Sequence, residues 1–360
     1  MNVTAVENFV LFNTLLSLGG FAAARIARTL KECGLWHPHP FTLTRIYAAS
    51  VALPPLVAVW IVAAAFIPVW SLGEPAFDRT HPGPLHHLHL FGNVTAPLEP
   101  FLCYATVIFL VFAGIFAIWS SLRAYSRIAS AIQHLEMNVS PPPAERIALV
   151  EQIAARHNLA VGLVMSNYPL SFVWGYFNSK LVLSSGLLHE TTSEELTGLL
   201  EHEAAHNSRR DNLMKLALSV CSYTSMAFPL MRRVLSWRAL EVEMVCDEIA
   251  AARTSRPLDI AEGLMKLTRR TLAPSLGAMG GTSTSGFVPQ DASGIEVRVS
   301  RLIKFTDQLP DPLRARALSK TNKAEAFLTV CIFISSLIAV SVWAPLAVHR
   351  AAESLIRIIA

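Results

Sequence analysis

Charge is what this chain has least of. Only 16% of its 360 residues are Asp, Glu, Lys or Arg, against about 25% in soluble domains. Hydrophobic residues make up 52% and the mean hydropathy is +0.43. That composition excludes an ordinary soluble enzyme and fits a membrane protein with enough polar sequence for one domain. Cysteine is scarce too. Cys33, Cys103, Cys221, Cys246 and Cys331 are scattered, with no C-x-x-C pair, so neither a disulfide framework nor a thiolate zinc site is expected. The opening Met1–Asn8 has no basic residue and contains Glu7, so no cleavable signal peptide is expected. The net charge of +4 is small, and the basic residues sit beside apolar runs instead of forming a patch. Nucleic acid is therefore not an expected partner, and the lipid bilayer is.

Long apolar runs are what the chain does have. Four are expected to cross the membrane, at about 9–24, 46–70, 101–122 and 326–348. The positive-inside rule orients them. The loop 25–45 carries Arg25, Arg28, Lys31 and Arg45 and should be cytoplasmic, whereas loop 71–100 is neutral to acidic and should lie outside. The expected organisation is three spans within 1–122, a cytoplasmic domain over 123–323, and a fourth span with a short outer tail over 324–360. The outer loop also holds His81, His86, His87 and His89 among prolines, which suits a polar loop or a metal- or pH-sensing one.

Chemistry concentrates in Glu201-His202-Glu203-Ala204-Ala205-His206, which contains H-E-x-x-H. On a helix, His202 and His206 lie four apart on one face and can hold one metal ion. Glu203 is placed to take a proton from the attacking water. Two histidines alone could decorate a solvated helix face, so a third ligand is needed. Residues 240–250 read as a second helix, on which Glu243 and Asp247 share a face. Glu243 is the preferred third ligand. Asp247 would then fix the tautomer of a ligand histidine. Glu241, on a different face of the same helix, is the competing candidate. Two histidines and a glutamate leave one position open, as in catalytic zinc sites.

The segments His202–Asp211 and Glu243-Met244-Val245-Cys246-Asp247 together resemble the BlaR/MecR-type membrane metallopeptidases. That family has H-E-x-x-H followed by a basic pair and Asp, then E-x-x-C-D. Residues 172–177 and 181–188 resemble it as well, so the likeness runs from about Pro142 to Leu302. The resemblance implies a gluzincin, with His202, His206 and Glu243 as zinc ligands. It implies a bacterial inner-membrane protease cutting a protein substrate such as a repressor or membrane protein. The penicillin-binding domain of β-lactam-sensing members is not found in the dozen residues after the fourth run, so that sensing role does not carry over. An HtpX-type quality-control protease is the alternative, although it usually places two apolar segments on each side of its domain. A non-enzymatic zinc-holding receptor or scaffold is less suited, because a structural site needs no Glu203.

Around the motif, the patterns predict a helix over 144–158, a strand over 159–166 and two short strands, 173–176 and 180–184, about a turn at Asn178-Ser179. An edge strand beside the metal could take a peptide as an added strand. Thr192 or Ser193 can cap the metal-site helix. The apolar run 216–231 is expected to pack in the domain or dip into the bilayer surface, because a full crossing would separate His206 from Glu243. Residues 273–293, rich in Gly, Ser, Thr and Pro, should be a flexible loop. Residues 295–305 should form a basic surface helix. The fold expected is an α-helical membrane protein with an inserted α+β zincin-like domain.

Overall fold

The structure is a computed structural model that describes residues 3–66, 140–270, 284–286 and 292–307, with single positions and short stretches between 108 and 130 and at 309. The fourth apolar run, the histidine-bearing outer loop and most of 273–293 lie outside the described residues.

Helices α1 (Val3–Glu32) and α2 (Pro40–Phe66) form an antiparallel pair. Their stretches Phe9–Glu32 and Pro40–Val59 are long and apolar enough to cross a membrane. Both helices overrun the predicted limits at their shared end. Arg25, Arg28 and Lys31 are good helix formers and prolong α1 past its apolar part. Pro40 opens α2 at a first-turn position that needs no N–H donor. Pro54 and Pro55 lie inside α2 without ending it. Gly20 lets the pair close up, since a Cβ there would stand 2.5 Å from the Ser50 carbonyl oxygen. The predicted third span is described only in part, as a shorter apolar helical stretch, Val111–Ser120.

The polar part is a mixed α+β domain. Helix α3 (Ala144–Arg156) buries Val150, Ile153 and Ala154 at helical spacing. Strands β1 (Ala160–Val164), β2 (Ser171–Trp174), β3 (Lys180–Ser184) and β4 (Thr284–Gly286) form one sheet in the order β1-β3-β2-β4. β1 and β3 are parallel; β2 is antiparallel to both β3 and β4. Gly175 turns the chain out of β2 at φ 110°, where a Cβ would meet the Asn178 carbonyl at 2.9 Å. β4 falls within the stretch expected to be a flexible loop, and it pairs Thr284 with Trp174, Ser285 with Val173 and Gly286 with Phe172.

A short helix, α4 (Ser185–Glu190), leads to α5 (Ser193–Arg209), which carries the H-E-x-x-H motif. Thr192 caps α5 in a reciprocal box. Its hydroxyl accepts from the Glu195 amide at 3.2 Å, and its own amide donates to the Glu195 carboxylate at 2.9 Å. Leu196, Leu199 and Leu200 on α5 pack with Leu181, Leu183 and Leu187 into the main core. Helix α8 (Pro257–Arg270) and helix α9 (Ala292–Asp307) close this core from the other side, through Leu264 and Leu302 among others.

Between α5 and α8 the chain makes a helical hairpin, α6 (Asp211–Thr224) and α7 (Phe228–Thr254). The run 216–231 is thus two helix ends, not one element. It breaks at Ser225–Ala227, and Pro229 takes a first-turn position of α7. The hairpin packs on α1 and α2 through a second apolar cluster that includes Leu43, Tyr47, Leu218, Met231 and Val234. Its two legs return to the same end, so the motif helix and Glu243 stay together.

A candidate metal centre between α5 and α7

Helix α5 stops one turn after the motif because Arg210 adopts the left-handed conformation (φ 53°, ψ 41°). For a residue with a Cβ this costs about 1–2 kcal/mol. It turns the chain so that Asp211, first residue of α6, faces back to His206. Asn212 fixes the turn to the sheet, its side-chain amide donating to the carbonyls of Val173 (3.1 Å) and Gly175 (2.9 Å). The break thus puts β2 and the motif helix side by side.

His202, His206 and Glu243 converge there, all buried. The two Nε2 atoms are 3.2 Å apart. Glu243 Oε2 lies 3.3 Å from His202 Nε2, and Oε1 lies 3.5 Å from His206 Nε2. Donors tetrahedrally arranged at zinc–ligand lengths of about 2.0–2.1 Å stand about 3.3 Å from one another. The two Glu243 distances run to different carboxylate oxygens, and one donor atom from each residue lies within 4.8 Å of the other two, close enough to share one metal ion. Each Nδ1 is already engaged, His202 with Asp247 Oδ1 at 2.9 Å and His206 with Asp211 Oδ2 at 2.9 Å. Both rings then present Nε2 as the free donor. Glu241, the competing ligand, instead pairs with Lys31 at the end of α1.

Two parts of this centre were not expected from the sequence. One is Asp211, whose signal was an acid directly after the motif helix. The other is Arg298 on α9, 1% exposed. It grips Asp247 with two bonds of 2.8 Å and reaches Glu243 Oε2 at 3.2 Å. Forked Arg–carboxylate pairing of this kind fixes orientation as well as charge. No local pattern pointed to it, because 51 positions separate the partners.

The charges are strongly coupled. Burial raises the Glu243 carboxyl pKa, but His206, Arg298 and the bond to His202 together hold it well below the usual range. Asp247 is likewise held low against its burial, by Arg298 first and then His202. Burial lowers both histidines, and their acidic neighbours more than reverse this, so both are raised above the ordinary value. Glu203 is fully buried beside the ligands, with Ser171 Oγ of β2 donating to it at 3.3 Å. Cys246 Sγ sits 3.4 Å from His206 Nδ1 and 3.6 Å from Asp211. Burial pushes its thiol up to about 11, so it stays protonated and packs against the ring.

With the ligand geometry in place, the family match is specific. Residues 144–269 match peptidase family M48. No curated protein matches the chain. The M48 segment contains all three metal donors, Glu203, Asp211 and Asp247. This is the site of a zinc metalloendopeptidase. Arg298 lies beyond the M48 segment, as do Lys31 and β4, so parts outside the matched region complete and flank the centre.

Proposed function

We propose that the chain is an integral-membrane zinc endopeptidase in which His202, His206 and Glu243 hold the metal and Glu203 is the general base. The observation that carries this is the convergence of three donors within reach of one ion, with both Nδ1 atoms anchored by carboxylates. A bound zinc supplies polarisation of the scissile carbonyl and a lowered pKa for the attacking water. Glu203 accepts the water proton and passes it to the leaving amine. Asp247 and Asp211 hold the imidazoles in the donating tautomer, and Ser171 orients Glu203 from β2. The test is Glu203→Gln. It should keep its zinc and lose peptide hydrolysis by about 100-fold or more. Undiminished cleavage by that variant would remove Glu203 from the mechanism.

The proposed substrate is a protein segment lying extended beside β2 in the place that β4 takes, the mode in which main-chain bonds supply affinity. Residues 284–286 of the chain already lie antiparallel along β2 in this manner, which supports a peptide as ligand. The further proposal is that the enzyme clips its own stretch 273–293, in keeping with the BlaR/MecR resemblance. Purified zinc-loaded protein should then split into two fragments, and the Glu203→Gln protein should not. The proposed setting is a bacterial inner membrane crossed four times, with residues 123–323 in the cytoplasm.

A further inference from the structure

The tip of the α6–α7 hairpin is bound by polar groups to the middle of α1. Asn13 Nδ2 donates to the Thr224 carbonyl at 2.9 Å. Asn13 Oδ1 accepts from the Met226 amide at 3.4 Å and from Ser17 Oγ at 3.1 Å. The hydroxyls of Ser17 and Ser225 are 2.7 Å apart. Asn13, Ser17, Ser222 and Ser225 are all fully buried. Phe9, Phe12 and Ala58 surround the tip beside Met226.

This network does what a hydrocarbon environment requires. At Ser225–Ala227 the helix is broken, and its free amide and carbonyl groups have no water to turn to within a bilayer. Asn13 and Ser225 supply the missing partners. The depth agrees. Lys31, paired with Glu241 at the hairpin base, lies 18 residues along α1 from Asn13 at the tip. At helical rise that is about 27 Å. The hairpin lies against the same stretches, Phe9–Glu32 and Pro40–Val59, that are apolar and long enough to cross a membrane. At its level Leu15, Leu18, Leu53, Leu56 and Val59 point outward, exposed.

We infer that α6 and the first half of α7 are a re-entrant hairpin, dipping among lipid acyl chains beside α1 and α2 and latched there by Asn13. The inference rests on reading α1 and α2 as membrane spans. Arg232 and Arg233 oppose it, since a charge in mid-bilayer is costly. Arg232 is partly provided for, since it donates to the Tyr223 hydroxyl at 3.0 Å and lies over the Phe228 and Tyr223 rings. A hairpin that turns back also never has to carry either charge to the far side. With the tip in lipid, the metal centre at the base lies close to the membrane face. Lys31 is only seven residues, or about 10 Å, past the end of the apolar run at Ala24. The bonds it reaches are then juxtamembrane ones.

The test uses the full chain in membrane vesicles of both orientations, with a membrane-impermeant maleimide and peptide masses as the readout. Cys33, exposed at the α1–α2 turn, is the internal reference. Pro229→Cys reports the exposed tip, and Val59→Cys reports α2. Both introduced thiols should react at least 10-fold more slowly than Cys33 from either side, and as fast as Cys33 in denaturant. A fast Pro229→Cys beside a slow Val59→Cys would overturn the hairpin inference alone. If both are fast, the spans themselves are misread and the inference falls with them. Adding Asn13→Val should raise the Pro229→Cys rate by 10-fold or more, and the milder Ser17→Ala should raise it less. An unchanged rate in both would show that Asn13 is not the latch.

Discussion

Each histidine ring of the candidate centre is held by a carboxylate at one nitrogen and offers the other, and that arrangement makes quantitative demands. Asp211→Ala and Asp247→Ala should each weaken zinc binding by about 10–100-fold, measured by competition with a chelator. If only Asp247→Ala does so, the Asp211 contact is incidental. A second demand concerns protons. Burial lowers the His206 pKa, but the Glu243 and Asp211 carboxylates outweigh it and leave the metal-free ring well above its ordinary value. The metal-free ring therefore keeps its proton to higher pH than an ordinary imidazole, and zinc must displace it. Zinc binding should release protons, and the number should fall as pH rises through the raised pKa. Calorimetry in buffers of different ionisation enthalpy reads this directly. Sequence reached this centre unevenly. His202, His206, Glu243 and Asp247 follow helical spacing and were legible. Asp211 stands in the motif, but its bond to His206 was not legible, because it depends on a left-handed residue at Arg210 that nothing local requires.

At the level of elements, capping was readable and length was not. Of the two expected caps, Thr192 and Ser193, the structure uses Thr192, in a box with Glu195, and Thr192→Ala should cost about 1 kcal/mol in a denaturation midpoint. The extent of α7 was hidden, because its first half is apolar for α1 and α2 while its second half carries Glu243 and Asp247 to His202. β4 was hidden by composition. A three-residue strand in a Gly- and Ser-rich stretch exists only because β2 offers an unpaired edge. α9 was legible as a helix, but its face was misjudged. It was expected to be a surface helix, yet it buries Arg298 and Leu302. Arg298→Leu leaves the Asp247 charge buried with its main partner removed, which should cost about 3–5 kcal/mol. A loss under 1 kcal/mol in urea unfolding would mean that other groups neutralise Asp247. Acid acts elsewhere. Burial raises Glu201, but His157, Arg253 and Arg156 hold it below its ordinary value. Its contribution is present above the unfolded-state value and lost as pH falls through the lower folded one.

The whole molecule joins a segment that matches family M48 to apolar helices on one side and to α9 on the other. Two helices able to cross a membrane were legible from apolar length alone. The remaining spans are a prediction about topology. Reporters at the N-terminus, Gly83, Gly280 and the C-terminus should read out, out, in, out, and an outward Gly280 would put the catalytic segment on the wrong side. The placement of Arg298 has its own outcome at this scale. Between α8 and α9 the chain runs through 271–291, which holds most of the stretch 273–293 proposed for self-cleavage, and Arg298 lies beyond both. In the intact chain Arg298 is tethered, so its grip on Asp247 and Glu243 operates at the high local concentration of a linked group. One cut in that stretch would turn the contact into an association between two fragments, free to loosen when the fragments part. The enzyme would then carry a fuse: its first turnover on itself would weaken the hold on its own zinc.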